Sequence, residues 1–98
     1  MTRYTVYVVP RAWQEIRDLP GHMRQCVRQA IDGLADNPRP PRSKRLDVPE
    51  LELYRLRLDR WRIVYAVAEE RDVVDVLAIR KRPPYDYGDL HELIAEML

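Results

Sequence analysis

The sequence predicts an α+β domain, and three observations carry that prediction. One strand pattern is followed directly by two helical patterns. Three further strand patterns then succeed one another through turns too short for a crossover, which makes the sheet mostly antiparallel. A final amphipathic segment closes the chain. The expected architecture is an N-terminal strand, an αα-hairpin packed on a sheet of about four strands, and a short C-terminal helix. With 98 residues, 46% hydrophobic and 34% charged, residues 1–98 form one domain.

Each element has its own signature. Residues 3–9 are β-branched and aromatic, the composition of a strand. Pro10 suits a first helical turn, where its missing N–H is no loss, and Ala12, Trp13, Ile16 and Leu19 recur at helical spacing. Pro20-Gly21 breaks this helix. A second carries Met23, Val27, Ala30, Ile31 and Leu34 on one stripe and stops before Pro38, which disfavours helical geometry at Asn37. Residues 39–45 read as a basic, proline-stiffened loop. In 51–58 Tyr54, Leu56 and Leu58 face one way and Arg55 and Arg57 the other. Asp59-Arg60 is a tight turn. In 60–68 Trp61, Ile63, Tyr65 and Val67 oppose Arg60, Arg62 and Val64, and 69–72 is a polar turn. Residues 73–82 open as an apolar run broken only by Asp75, the pattern of a central strand covered on both faces. Leu90, Leu93, Ile94, Met97 and Leu98 share one helical stripe, with Asp89 and Glu92 placed to favour its N-terminus.

Composition excludes several chemistries. The only serine, Ser43, lies in the Pro/Arg loop, outside any strand-turn-helix context. His22 and His91 read as surface residues, and no Cys/His cluster has zinc spacing, so neither a metal nor a cofactor is expected. Gly21, Gly33 and Gly88 are isolated, which leaves no phosphate-cradling loop. The single Cys26 cannot form an internal disulfide. With no apolar run long enough for a membrane span and no leader pattern, the expected compartment is the cytoplasm.

Charge is unevenly placed. The net charge is +1. Yet residues 42–62 carry Arg42, Lys44, Arg45, Arg55, Arg57, Arg60 and Arg62 against four acids, whereas 83–98 hold four acids and no Lys or Arg. A basic centre of this kind suits a polyanion. Guanidiniums brought together by a β-hairpin repel each other unless acids or a bound anion compensate. Two readings stay open here: a solvated face with weak surface ion pairs, or a phosphate-binding surface. Arg80-Lys81-Arg82 runs into Pro83-Pro84-Tyr85-Asp86-Tyr87. These tyrosines either stack on splayed bases beside the arginines or cover the sheet edge. Trp13 and Trp61 read as core anchors.

The run Leu53-Tyr54-Arg55-Leu56-Arg57-Leu58, then Arg60-Trp61-Arg62-Ile63-Val64-Tyr65, then 73–82, resembles the RelE/ParE superfamily of bacterial type II toxins. Ala12, Leu19-Pro20, Leu34 and Asn37-Pro38 support the likeness in the first half. The resemblance implies a cognate antitoxin, hence a toxin–antitoxin hetero-oligomer. In the RelE branch it further implies metal-independent mRNA cleavage in the ribosomal A site. The ParE branch implies inhibition of DNA gyrase without nuclease chemistry, and a non-toxic regulatory member is a third alternative. By resemblance the site residues are Arg55, Arg57, Arg62, Arg82 and Tyr87, with Lys44, Arg45, Arg80, Lys81 and Tyr85 as RNA-binding neighbours. Family members of the RelE kind typically carry lysine where Arg55 and Arg57 stand. The Pro83-Pro84 insertion leaves Tyr85 and Tyr87 as competing matches for the family's C-terminal tyrosine.

Overall fold

The computed structural model describes residues 3–49, 51–81 and 90–95. Its elements run β1 (Thr5–Val8), α1 (Pro10–Arg17), α2 (Gly21–Gly33), β2 (Ser43–Leu46), β3 (Leu53–Leu58), β4 (Trp61–Ala68), a 3₁₀ turn (Glu69–Arg71), β5 (Val73–Lys81) and α3 (Leu90–Ala95). The strands form one mixed sheet in the order β1-β5-β4-β3-β2. The predicted class holds, with two refinements. The sheet has five strands rather than about four, because 43–46, read from sequence as loop, pairs antiparallel with β3. And β1 joins the far edge in parallel with β5.

β5 lies between β1 and β4, which explains its apolar run. Val74, Val76, Leu77 and Ala78 are fully buried, so both faces of the strand are covered. A register shift on passing Val64/Tyr65 leaves Leu77 as the extra residue of β5. β3 and β4 are joined at Asp59, which has φ 55°, and the 3₁₀ turn ends at Asp72, with φ 53°. Aspartate tolerates this left-handed geometry better than branched or bulky residues.

The helical stripes enter the core as expected: Ala12 and Ile16 from α1, and Met23, Val27 and Ile31 from α2, pack with Leu56, Ile63 and Tyr65. Arg24 braces the hairpin by donating to the carbonyl oxygens of Arg17, the last residue of α1, and Leu19, in the connection that follows it. Trp61 packs against the core as predicted. Trp13 does not: it is 43% exposed, at the rim of a surface cavity that it lines with Val6, Val8 and Ile16 rather than inside the core. Among the described residues no helix is long and apolar enough to cross a membrane.

Candidate nucleic-acid interface

The interface is built by register. Arg57 of β3 is the Cα partner of Arg62 on β4, and Arg62 is the partner of Arg80 on β5. Three arginines therefore stand in one row across the three central strands. Directly opposite Cα atoms in antiparallel pairs lie roughly 4.5–5.5 Å apart, so the row spans about 10 Å. Period-two alternation puts Arg55 on the same face as Arg57, and Lys44 of β2 is the Cα partner of Arg55. The next positions along β4 and β5, Val64 and Ala78, are both fully buried. The cations thus mark the end of the sheet where this covered apolar surface stops.

The members differ in their surroundings. Arg57 is exposed, and Arg55 and Arg62 are half-buried. Arg62 Nη1 donates to the carbonyl oxygens of Asp59 and Trp61, both at 3.0 Å. These bonds tether the guanidinium to the β3–β4 turn. Arg80 reaches α1, where its Nη1 pairs with Glu15 Oε2. Lys81 lies with its Nζ 6.0 Å from the centre of the Trp61 ring, within cation–π range. Arg45, whose Cα partner is Tyr54, belongs by alternation to the opposite face from Lys44. It is exposed at the sheet edge.

The structure therefore brings together Arg55, Arg57, Arg62, Arg80 and Lys44, and sets Arg45 apart from them. Arg82, Tyr85 and Tyr87 fall outside the described residues, as does the side chain of His91.

A second polar cluster went unrecognised in the sequence. Arg39 Nε donates to Tyr54 Oη at 2.8 Å, and its Nη2 pairs with both Glu52 and Glu69. Burial works against the charge, but the bonds to Glu52, Tyr54 and Glu69 outweigh it and raise the Arg39 pKa. Tyr54 stacks on Tyr65 with ring centroids 5.6 Å apart. Tyr65 Oη donates to the Pro38 carbonyl oxygen at 2.7 Å, and burial pushes its pKa up to about 12. The cluster pins the proline-rich loop to the sheet just before β2, the strand that carries Lys44. Its sequence signal was Arg39 beside Pro38, but the partners lie 13 to 30 residues away.

Elsewhere on the arginine face, Asp75 lies opposite Ala66. Burial raises its pKa, partly offset by Arg71. Among the described residues no group of three or more His, Cys, Asp or Glu is placed to hold a metal ion. Chemically, the face offers fixed cations, and guanidiniums hold phosphate oxygens through paired N–H groups.

Comparison with known proteins agrees with this architecture. Residues 6–83 match the model of the family described as ParE toxin of type II toxin-antitoxin system, parDE. A RelE-like toxin protein of Escherichia coli is 27% identical over 96 residues, covering 98% of each chain. A chain of the archaeal RelE-RelB complex from Pyrococcus horikoshii OT3 superposes with a TM-score of 0.74 at 27% identity, covering 87% of this chain and 100% of its own. A chain of the intact E. coli RelBE toxin-antitoxin complex gives 0.64 at 28% identity, covering 80% and 95%. The isolated E. coli RelE toxin gives 0.65 at 25% identity, covering 97% and 99%. With a family match over most of its length and the same sheet and hairpin in RelE structures, the chain belongs to the ParE toxin family within the RelE/ParE superfamily of type II toxins.

Proposed function

We propose that this toxin is a ribosome-dependent mRNA endonuclease acting in the cytoplasm, held inactive by a cognate antitoxin in a hetero-oligomer. The observation that carries the reading is the Arg57–Arg62 juxtaposition with Arg55 beside it. Like charges directly opposite each other destabilise a sheet by up to about 1 kcal/mol, and a bound phosphate reverses the sign of that term. In the reaction the 2′-oxygen loses its proton and forms a bond to the adjacent phosphorus. The bond from phosphorus to the 5′-oxygen breaks, and the leaving oxygen takes a proton. The products are a 2′,3′-cyclic phosphate and a 5′-hydroxyl.

Arg57 and Arg62 would hold the non-bridging oxygens and stabilise the charge that accumulates on them. Arg55 would fix the neighbouring phosphate, and Lys44 would hold the backbone at the β2 edge. Arg82 would serve the leaving oxygen, with Tyr87 or Tyr85 stacking on a base and Lys81 and Arg45 adding longer-range attraction. Arginine is a poor proton carrier, so the face contributes charge and alignment. Alignment alone supplies on the order of 7–11 kcal/mol when reacting groups are well oriented, and the ribosome is the natural source of it. The structures of relatives bound to RelB antitoxins support a protein antitoxin as partner.

The match to a family described as ParE favours a second reading, a DNA gyrase inhibitor that binds without cutting. Two assays separate them. The chain is induced without antitoxin and mRNA 5′ ends are mapped, and the purified protein is added to gyrase supercoiling reactions. New ends within codons, with supercoiling intact, support the nuclease. Arrested supercoiling without new ends replaces it with the inhibitor. Harmless induction with neither effect would leave a non-toxic regulatory member.

A further inference from the structure

The two edges of the sheet are built differently. β2 carries Lys44 and Arg45 and follows a proline-rich loop. Charges and prolines of this kind guard an edge against pairing with another strand. β1 reads Thr5-Val6-Tyr7-Val8, with no charge and no proline. The N–H groups of Thr5 and Val9 turn inward, to the carbonyl oxygens of Asp72 and Val76. Alternation therefore turns the N–H and C=O groups of Val6 and Val8 outward, and among the described residues no strand lies beyond them. Tyr4 shows the same direction, since its N–H donates away from β5 to the Ala35 carbonyl oxygen. This edge also holds the large apolar side chains that the described residues leave exposed, Tyr7 and Trp13. Tyr7 lies beside Asp75, on the sheet face away from the helices. Trp13 lines a cavity on the helix side with Val6 and Val8, and exposed Arg28 and Asp32 of α2 form part of its wall.

We propose that the β1 edge is an interface for a second copy of this chain, joined antiparallel about a two-fold axis at Tyr7. The edge is complementary to itself. In that register Val6 of one copy stands opposite Val8 of the other, and their outward N–H and C=O groups satisfy each other. Tyr7 meets its own mate in a non-hydrogen-bonded position, where facing side chains stand closest. On the helix side, Trp13 and the two valines cover the equivalent residues of the second copy. The axis also sets the two α2 helices antiparallel, so Arg28 of each copy turns towards Asp32 of the other. A patch bearing both signs one helical turn apart matches its own two-fold image, as an interface between identical surfaces requires. Two five-stranded sheets thereby become one continuous sheet. Arg55, Arg57 and Arg62 lie on strands that do not touch β1, so the inference is independent of the RNA-binding reading.

The test is the mass of the purified full chain by sedimentation equilibrium over a range of concentrations. The parent should pass from the mass of one chain to that of two. Hydrogen exchange gives a second reading that needs no substitution. The Val6 and Val8 amides should exchange more slowly as concentration rises, while the Thr5 amide, already bonded inside the sheet, stays as it is. Tyr7→Lys, at an exposed site, sets like charges opposite each other across the axis. It should remain a single chain where the parent is paired, and Tyr7→Glu should do the same. Mixed in equal amounts, the two variants should regain the double mass, a rescue that requires residue 7 to face itself. A parent that stays a single chain, a dimer that survives both substitutions, or a mixture without rescue overturns the proposal. Slowed exchange at Val6 and Val8 that appears only on adding the antitoxin overturns it as well, and gives the edge to that partner.

Discussion

Arginine serves two opposite purposes in this molecule, seen by setting Arg39 beside Arg57. Arg39 is enclosed by acceptors: Tyr54, Glu52 and Glu69 all take its N–H groups, and it fastens a loop to the sheet. Arg57 faces Arg62 across the β3–β4 ladder and lies exposed. The first arrangement is self-sufficient and stabilises the fold. The second makes the fold slightly less stable and leaves hydrogen-bonding capacity for a ligand. A charged residue's role follows from whether the chain itself supplies the counter-charge. Glu15 and Arg80 form the intermediate case, a member of the row converted to structure by one carboxylate.

This contrast can be broken by substitution. The largest effect is expected for Arg57→Ala. Ribosome-dependent cleavage should fall about 100- to 1000-fold, the usual loss when one group stabilising a transition-state oxyanion is removed. The urea midpoint should stay within about 0.5 kcal/mol of the parent, as for exposed sites in general. Undiminished cleavage would end the catalytic reading of the row. Arg39→Ala should do the reverse. It removes charge-assisted bonds, so chemical denaturation should show a loss of about 1.5–3 kcal/mol, while the salt slope of RNA binding stays that of the parent. A changed slope would erase the distinction between the two arginines.

Tyr65→Phe sharpens the structural side. Leaving the Pro38 carbonyl oxygen without its donor should cost about 1–3 kcal/mol. The pH signature is specific. The unfolded tyrosine ionises near 10, whereas burial in the fold delays ionisation to about 12. The parent's stability should therefore be complete below pH 10 and decline as pH rises towards 12. Tyr65→Phe should lack that part of the decline, and identical alkaline profiles would refute the assignment. The smallest effect is expected at Asp75, whose carboxyl is held above its ordinary range by burial. The folded state holds its proton longer than the unfolded state, so ionisation of Asp75 works against folding. Asp75→Asn should raise the melting temperature at neutral pH, and the gain should vanish below the ordinary carboxylate range. An equal gain at all pH values would show that charge is not the cause.

Much of the fold was legible because neighbours in sequence decide it. Alternation in Tyr54–Leu58 and Trp61–Val67 reports two half-buried strands, and their short connection forces them to pair. That pairing already places Arg55, Arg57 and Arg62 on one face. β2 was not legible: Lys44 and Arg45 sit among prolines, and Ser43–Leu46 becomes a strand because the open edge of β3 offers it a ladder. Trp13 was misassigned because spacing identifies a helix more surely than it identifies which edge of the stripe the core will cover.

The sequence by itself determined the α+β class, the order of elements and the basic face, because side-chain period and turn length are local properties of the chain. Only the tertiary structure decided that β1 joins β5 in parallel, that Arg80 completes a row with Arg57 and Arg62, and that Glu15, 65 residues away, neutralises it. Register between distant strands, and the meeting of charges across them, depend on how the whole core packs. No local pattern encodes that.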